Sequence, residues 1–121
     1  MTPIRVLVID DDPMQIELVE RALSHEGFEL KGVSTLAEVS TTAKAFVPQL
    51  VLLDINMPES SPEQVIARIR DAVPGSRIVL YSAWDDSKLR GLAGRLGADA
   101  FISKSESVFA IGNRLRDVVR G

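Results

Sequence analysis

Short apolar runs of strand length alternate with segments of helical period along this whole sequence. The runs are Ile4–Ile9, Phe28–Val33, Leu50–Leu53, Arg77–Tyr81 and Asp99–Ile102. Between and after them lie Pro13–His25, Thr35–Val47, Pro62–Val73, Asp86–Leu96 and Glu106–Arg120. Five strand–helix repeats predict a parallel sheet with helices on both faces, an α/β doubly wound (βα)5 sandwich. The first and third runs are almost continuously apolar, as central strands buried on both faces are, whereas the second is weaker. No spacer rich in Pro, Gly or Ser divides the 121 residues, so 1–121 reads as one domain.

Helix punctuation agrees. Asp12-Pro13-Met14-Gln15 and Ser61-Pro62-Glu63-Gln64 each offer an N-cap, a proline at the first helical position and a glutamine three residues after the cap. Gly27 and Gly97 stand where helices should stop, and Pro48 and Pro74 close two others. Val108, Ile111, Leu115 and Val118 make the apolar stripe of the last helix, with Phe109 off it. Gly91 and Gly94 sit inside the fourth helix, each costing about 1 kcal/mol relative to alanine. Either that helix is merely marginal, or it is an element that must shift.

Composition removes several chemistries. There is no cysteine, hence no disulfide, thiolate metal site or cysteine nucleophile, and the single His25 cannot build a histidine metal centre. The net charge of −3 argues against a nucleic-acid surface, which needs concentrated basic charge. No apolar run approaches the ~20 residues that span a bilayer, and Met1 leads into a strand without a basic, apolar leader. The expectation is a cytoplasmic protein that makes no membrane contact.

Polar residues gather at the carboxyl ends of the strands. The first strand ends in Asp10-Asp11-Asp12, the third in Asp54 and the fourth in Ser82; Lys104 follows the fifth. In a doubly wound sheet of order 2-1-3-4-5, strands one and three adjoin at the topological switch point, where ligands bind. Asp10, Asp11 and Asp54 are thereby brought together, with Ser82 and Lys104 opposite. Converging carboxylates repel, the more so when partly desolvated. A hard divalent cation relieves this, and Mg2+ takes one or two carboxylates plus a phosphate oxygen. Lys104 offers a positive charge and Ser82 a hydroxyl to a phosphoryl group. A carboxylate can itself be the nucleophile and form an aspartyl phosphate.

At these residues the chain resembles the receiver domain of two-component response regulators. The matching motifs are Val8-Ile9-Asp10-Asp11, Asp54-Ile55-Asn56-Met57-Pro58, Tyr81-Ser82-Ala83 and Phe101-Ile102-Ser103-Lys104. The resemblance runs strand by strand over essentially the whole chain and implies a flavodoxin-like fold. It implies that Asp54 is the phosphoacceptor and that Asp10, Asp11, Asp54 and the backbone carbonyl of Asn56 hold Mg2+. Ser82 and Lys104 would contact the phosphoryl oxygens, and Phe101 would change rotamer together with Ser82. The implied partner is a histidine kinase or phosphotransfer protein, with a homodimer through the face of helix four, strand five and helix five as a further expectation. The activity expected is phosphorylation and dephosphorylation of the chain itself, not turnover of a separate substrate.

Three positions depart from the family pattern. Pro62 stands where a glycine is usual, Ser105 replaces the proline that commonly follows the lysine, and the bulky Trp84 lies two residues beyond Ser82. Pro62 suits the first turn of helix three but leaves the Glu59–Ser61 loop free to differ in shape; Ser105 removes a constrained bond after Lys104; Trp84 is expected at the mouth of the site. The ending Val118-Val119-Arg120-Gly121 and the Lys104-Ser105 step resemble receivers that precede a helix-turn-helix domain. The choice is between a single-domain regulator and part of a longer chain, with the second preferred; nucleic acid would be met only through such an output domain.

Plainer readings stand beside these. Asp12 reads as a helix N-cap rather than a metal ligand. Phe101 is equally well a core strand aromatic. His25 reads as a solvated residue near a helix C-terminus, and Trp84 and Tyr81 as packing residues. Two other functions compete. One is a degenerate receiver serving only as a dimerisation or docking platform. The other is a small Mg2+-dependent phosphatase using Asp10 and Asp12, which leaves Asp54 unexplained.

Overall fold

The computed structural model describes residues 2–57, 61–106 and 110–120. The expectations for Pro58, the 59–60 stretch, Val108, Phe109 and Gly121 fall outside those residues. Five strands and five helices alternate: β1 Ile4–Ile9, α1 Pro13–Leu23, β2 Phe28–Val33, α2 Leu36–Phe46, β3 Leu50–Asp54, α3 Pro62–Ala72, β4 Arg77–Ser82, α4 Asp86–Leu96, β5 Ala100–Ser103 and α5 Ile111–Arg120. The sheet is parallel throughout, in the order β2-β1-β3-β4-β5.

The period of two along each strand sorts the core into two layers. Leu7, Ile9, Val51, Leu53, Ile78 and Leu80 face one way and pack with Val39 and Ala43 of α2, Val65 and Ile69 of α3, and Leu89 and Leu92 of α4. Val6, Val8, Leu50, Leu52, Val79 and Tyr81 face the other way, against Ile16, Val19 and Leu23 of α1 and Ile111 and Leu115 of α5. Both layers need apolar residues, so β1 and β3 carry no alternation. At the edge, β2 buries only Phe28 and Val33, which accounts for its weak pattern. Its Gly32 is required by packing: a Cβ there would stand 2.4 Å from Ile16 Cγ2 of α1.

Several boundaries move from their expected places. β3 and β4 each gain a polar residue, Asp54 and Ser82, because the ladder continues past the apolar run. β5 shifts by one, since Asp99 is used before the strand: its carboxylate accepts the Ile78 N–H at 2.8 Å. α2 starts after Thr35 and ends before Val47, which adopts a left-handed conformation with φ 50°. α1 stops at Leu23, leaving His25 exposed beyond the helix, and α3 stops at Ala72. α5 begins at Ile111 rather than near residue 106; the Glu106 carboxylate instead receives Arg114 Nη1 at 2.8 Å.

Most caps fall as expected, although the C-cap of α1 is Ser24 rather than Gly27. Ser61 and Gln64 form a reciprocal capping box around Pro62, and Gly97 ends α4 at φ 72°. Asp12 caps α1 by accepting the Met14 N–H at 3.0 Å. Here Gln15 does not complete a box, because the Asp12 N–H is already donated to Asp10 Oδ1 at 3.0 Å. Among the described residues, no helix is long and apolar enough to cross a membrane.

Candidate functional site

β1 and β3 lie side by side, with Ile9 opposite Leu53, so Asp10, just after β1, and Asp54, the last residue of β3, emerge together at one end of the sheet. Asp10 and Asp54 are both buried there, while Asp11 is exposed. Carboxylate oxygens of the three lie within 4.8 Å of one another. Asp12 is not in this group; its carboxylate is held on the α1 N-terminus.

Each buried carboxylate is oriented by a main-chain donor two residues on. Asp10 Oδ1 accepts the Asp12 N–H, and Asp54 Oδ1 accepts the Asn56 N–H, both at 3.0 Å. Their other oxygens face Lys104, whose Nζ is 3.3 Å from Asp10 Oδ2 and 3.7 Å from Asp54 Oδ2. The ammonium also stands 5.1 Å from the centre of the Tyr81 ring, which floors the site as a packing residue. Among the described residues, one ammonium thus pairs with two of the three carboxylates.

The Asp10 carboxyl registers that imbalance. Burial pushes it above the ordinary carboxylate range; the Asp12 N–H draws it back, the Asp54 charge raises it again, and Lys104 offsets only part of this. Burial also raises the Tyr81 phenol, reinforced by Asp10 and Asp54. An all-oxygen donor set short of positive charge suits a hard divalent cation such as Mg2+.

Ser82 is fully buried at the end of β4. Its Oγ accepts the Trp84 N–H at 3.2 Å and Asn56 Nδ2 at 3.4 Å. Both lone pairs are taken, and its proton has no partner among the described residues. Its carbonyl accepts the Lys104 N–H at 2.6 Å, joining the two strand ends that carry Ser82 and Lys104. Trp84 borders the site through its backbone, whereas it lines a groove of about 290 Å3 on α4 with Ser87, Lys88, Gly91, Leu92 and Arg95. Half-buried Phe101 lies between α4 and α5: Arg90 stands 5.7 Å from its ring centre, and Arg114 Nη2 donates to its carbonyl at 3.1 Å.

Asp10, Asp11, Asp54, Asn56, Ser82 and Lys104 are therefore assembled at one end of the sheet, and Phe101 stands one strand position from Ile102, the partner of Tyr81. The sequence marks Ser105 only as the residue in place of a proline and Ser103 only as a motif member; neither is given a bonding role there. Ser103 is buried and makes three hydrogen bonds, to the Trp84 carbonyl and to the N–H and hydroxyl of Ser105. The available signal was a serine at an inward-facing strand position, where an apolar residue is usual.

The family model for the response regulator receiver domain matches residues 6–116. Curated relatives include the transcriptional regulatory protein KdpE of Mycobacterium tuberculosis, 33% identical over 95% of this chain and 50% of its own length. The DNA-binding response regulator MtrA of Mycolicibacterium smegmatis is 33% identical over 93% of this chain and 50% of its own. The chain spans about half the length of the curated relatives it matches. Among solved structures, a signal receiver domain from Mycobacterium tuberculosis superposes with a TM-score of 0.85 at 32% identity, covering 100% of this chain and 99% of that one. A response regulator from Thermotoga maritima gives 0.84 at 26% identity, covering 100% of both.

Proposed function

This chain belongs to the receiver domains of response regulators, and from that premise we propose that residues 1–121 form a phospho-accepting signalling module with Asp54 as acceptor. The observation that carries the reading is the placement of a buried carboxylate, Asp54, between two further carboxylates and a lysine ammonium. Asp10, Asp11, Asp54 and the Asn56 carbonyl would hold Mg2+, whose chemistry when bound is to neutralise charge between the carboxylates and an incoming phosphoryl group.

Asp54 keeps one oxygen on the Asn56 N–H and presents the other towards Lys104. That second oxygen attacks phosphorus; the bond from phosphorus to the donor's imidazole nitrogen breaks, and its electron pair leaves with the imidazole. Lys104 is placed to follow the charge onto the phosphoryl oxygens. Ser82 supplies a hydroxyl proton not already committed, so turning it towards the new dianion creates a charge-assisted bond. Hydrolysis reverses the state, as water attacks phosphorus and Asp54 departs as carboxylate.

The donor would be a histidine kinase or phosphotransfer protein. The signal would leave through the face of α4, β5 and α5, where Phe101 fills space vacated by Ser82, towards an output domain, a partner or a second copy. The names of the longer relatives, transcriptional and DNA-binding regulators, favour an output acting on DNA. A phosphatase using Asp10 and Asp12 is disfavoured because Asp12 is committed to capping α1. The bare docking platform leaves the assembled site without a purpose. Incubation with acetyl phosphate and Mg2+ separates the three: a receiver takes up about one phosphoryl group per chain, a phosphatase turns over added substrate, and a platform does neither.

A further inference from the structure

We propose that Ser103 is a positioning residue for phosphotransfer: its hydroxyl fastens the turn carrying Lys104 to the loop carrying Trp84, and so fixes Lys104 relative to Ser82. The proposal deepens the receiver reading and rests on it.

A serine hydroxyl has one proton and two lone pairs. Ser103 is 1% exposed, and it uses all three. It donates to the Trp84 carbonyl at 3.2 Å, accepts the Ser105 N–H at 3.2 Å, and lies 2.8 Å from the Ser105 hydroxyl. Since its own proton goes to Trp84, the Ser105 hydroxyl is the donor in that last pair. A proline after Lys104 could not supply the N–H. The Ser105 departure therefore replaces one constraint on Lys104 with another, a turn closed back on Ser103.

The consequence reaches both groups expected to meet the phosphoryl oxygens. Ser82 and Ser103 are register partners at the ends of β4 and β5. Lys104 is held on one side by its N–H on the Ser82 carbonyl and on the other by the Ser103–Ser105 turn. Trp84 is held at both polar backbone atoms, its N–H on Ser82 Oγ and its carbonyl on Ser103 Oγ. When Ser82 turns away, the Trp84 loop remains tied to Ser103 and pivots there.

The test uses the full chain with Ser103→Ala and Ser103→Thr. With acetyl phosphate and Mg2+, Ser103→Ala should label Asp54 about five-fold more slowly, the scale of one ordinary hydrogen bond. Its Mg2+ affinity should be unchanged, because the carboxylates are carried at the ends of β1 and β3. Ser103→Thr, which keeps the hydroxyl, should restore the rate. Amide hydrogen exchange in Ser103→Ala should quicken at Ser105, whose N–H loses its acceptor, and at Trp84, whose N–H keeps its bond to Ser82 Oγ only while the loop is tied at its carbonyl. A wild-type labelling rate in Ser103→Ala overturns the proposal, as does quickened exchange confined to Ser105. Equal slowing in Ser103→Thr with Trp84 still protected marks a packing role and also overturns it. Wild type that takes no label defeats the receiver reading and with it the phosphotransfer role; the exchange result then decides the tie alone.

Discussion

Lys104 Nζ lies 3.3 Å from Asp10 Oδ2, although 94 residues separate the two along the chain. The contact exists because β1 and β5 present their carboxyl ends on the same side of a parallel sheet. It places an ammonium between two buried carboxylates that would otherwise face each other unscreened.

Lys104→Ala should therefore push the Asp10 carboxyl still higher, since Lys104 lowers it now. Carbon-detected NMR titration of the Asp10 side chain checks this directly. Phosphorylation should persist at a reduced rate, while the spread of change to α4 should weaken. An Asp10 titration identical to wild type would show that the ion pair carries no weight.

The pH dependence of stability follows from the sign of the same shift. The folded-state value of Asp10 lies above its ordinary 3.8. Its contribution to stability is present below the ordinary value and is lost as pH rises through the folded one; above that, the ionised carboxylate counts against the fold. Asp10→Asn should then stabilise the protein at neutral pH. The gain should be on the order of 1 kcal/mol, a fraction of the ~4 kcal/mol between like charges 4 Å apart at an effective dielectric near 20. Urea unfolding should show that gain fading as pH falls through the raised Asp10 value and gone by pH 3.8, with Mg2+ binding weakened.

Gly91 and Gly94 of α4 have open space where a Cβ would stand, so packing does not require either glycine. Gly91→Ala and Gly94→Ala should each add about 1 kcal/mol of stability, by chemical denaturation. If the helix is loose so that it can shift, the double variant should also show a smaller change in amide exchange over α4 and β5 when beryllofluoride binds. An undiminished response with the stability gained would make the glycines incidental.

Most of the fold was legible because burial on both faces of β1 and β3 leaves an unbroken apolar signature, and Ser61-Pro62 and Asp12-Pro13 announce helix starts chemically. The site was legible at its charged members, since Asp10, Asp54 and Lys104 interrupt apolar strands at their ends. Apolarity could not mark where strands stop: Asp54 and Ser82 continue the ladder through backbone pairing, to which hydropathy is blind. Glu106 suited a helix by composition but pairs with Arg114 outside one. The Ser103–Ser105 joint was illegible because hydroxyls that bond across a turn leave no periodic trace.

The central claim is a phosphoryl group on Asp54. Borohydride reduces an acyl phosphate to the alcohol and leaves free carboxylates untouched. After treatment with acetyl phosphate and Mg2+, reduction and peptide mapping should find homoserine at position 54, absent when either reagent is withheld, and no label on Asp54→Asn that has folded normally. Stoichiometric label with position 54 unreduced, or homoserine at position 10 or 11 instead, would contradict the account.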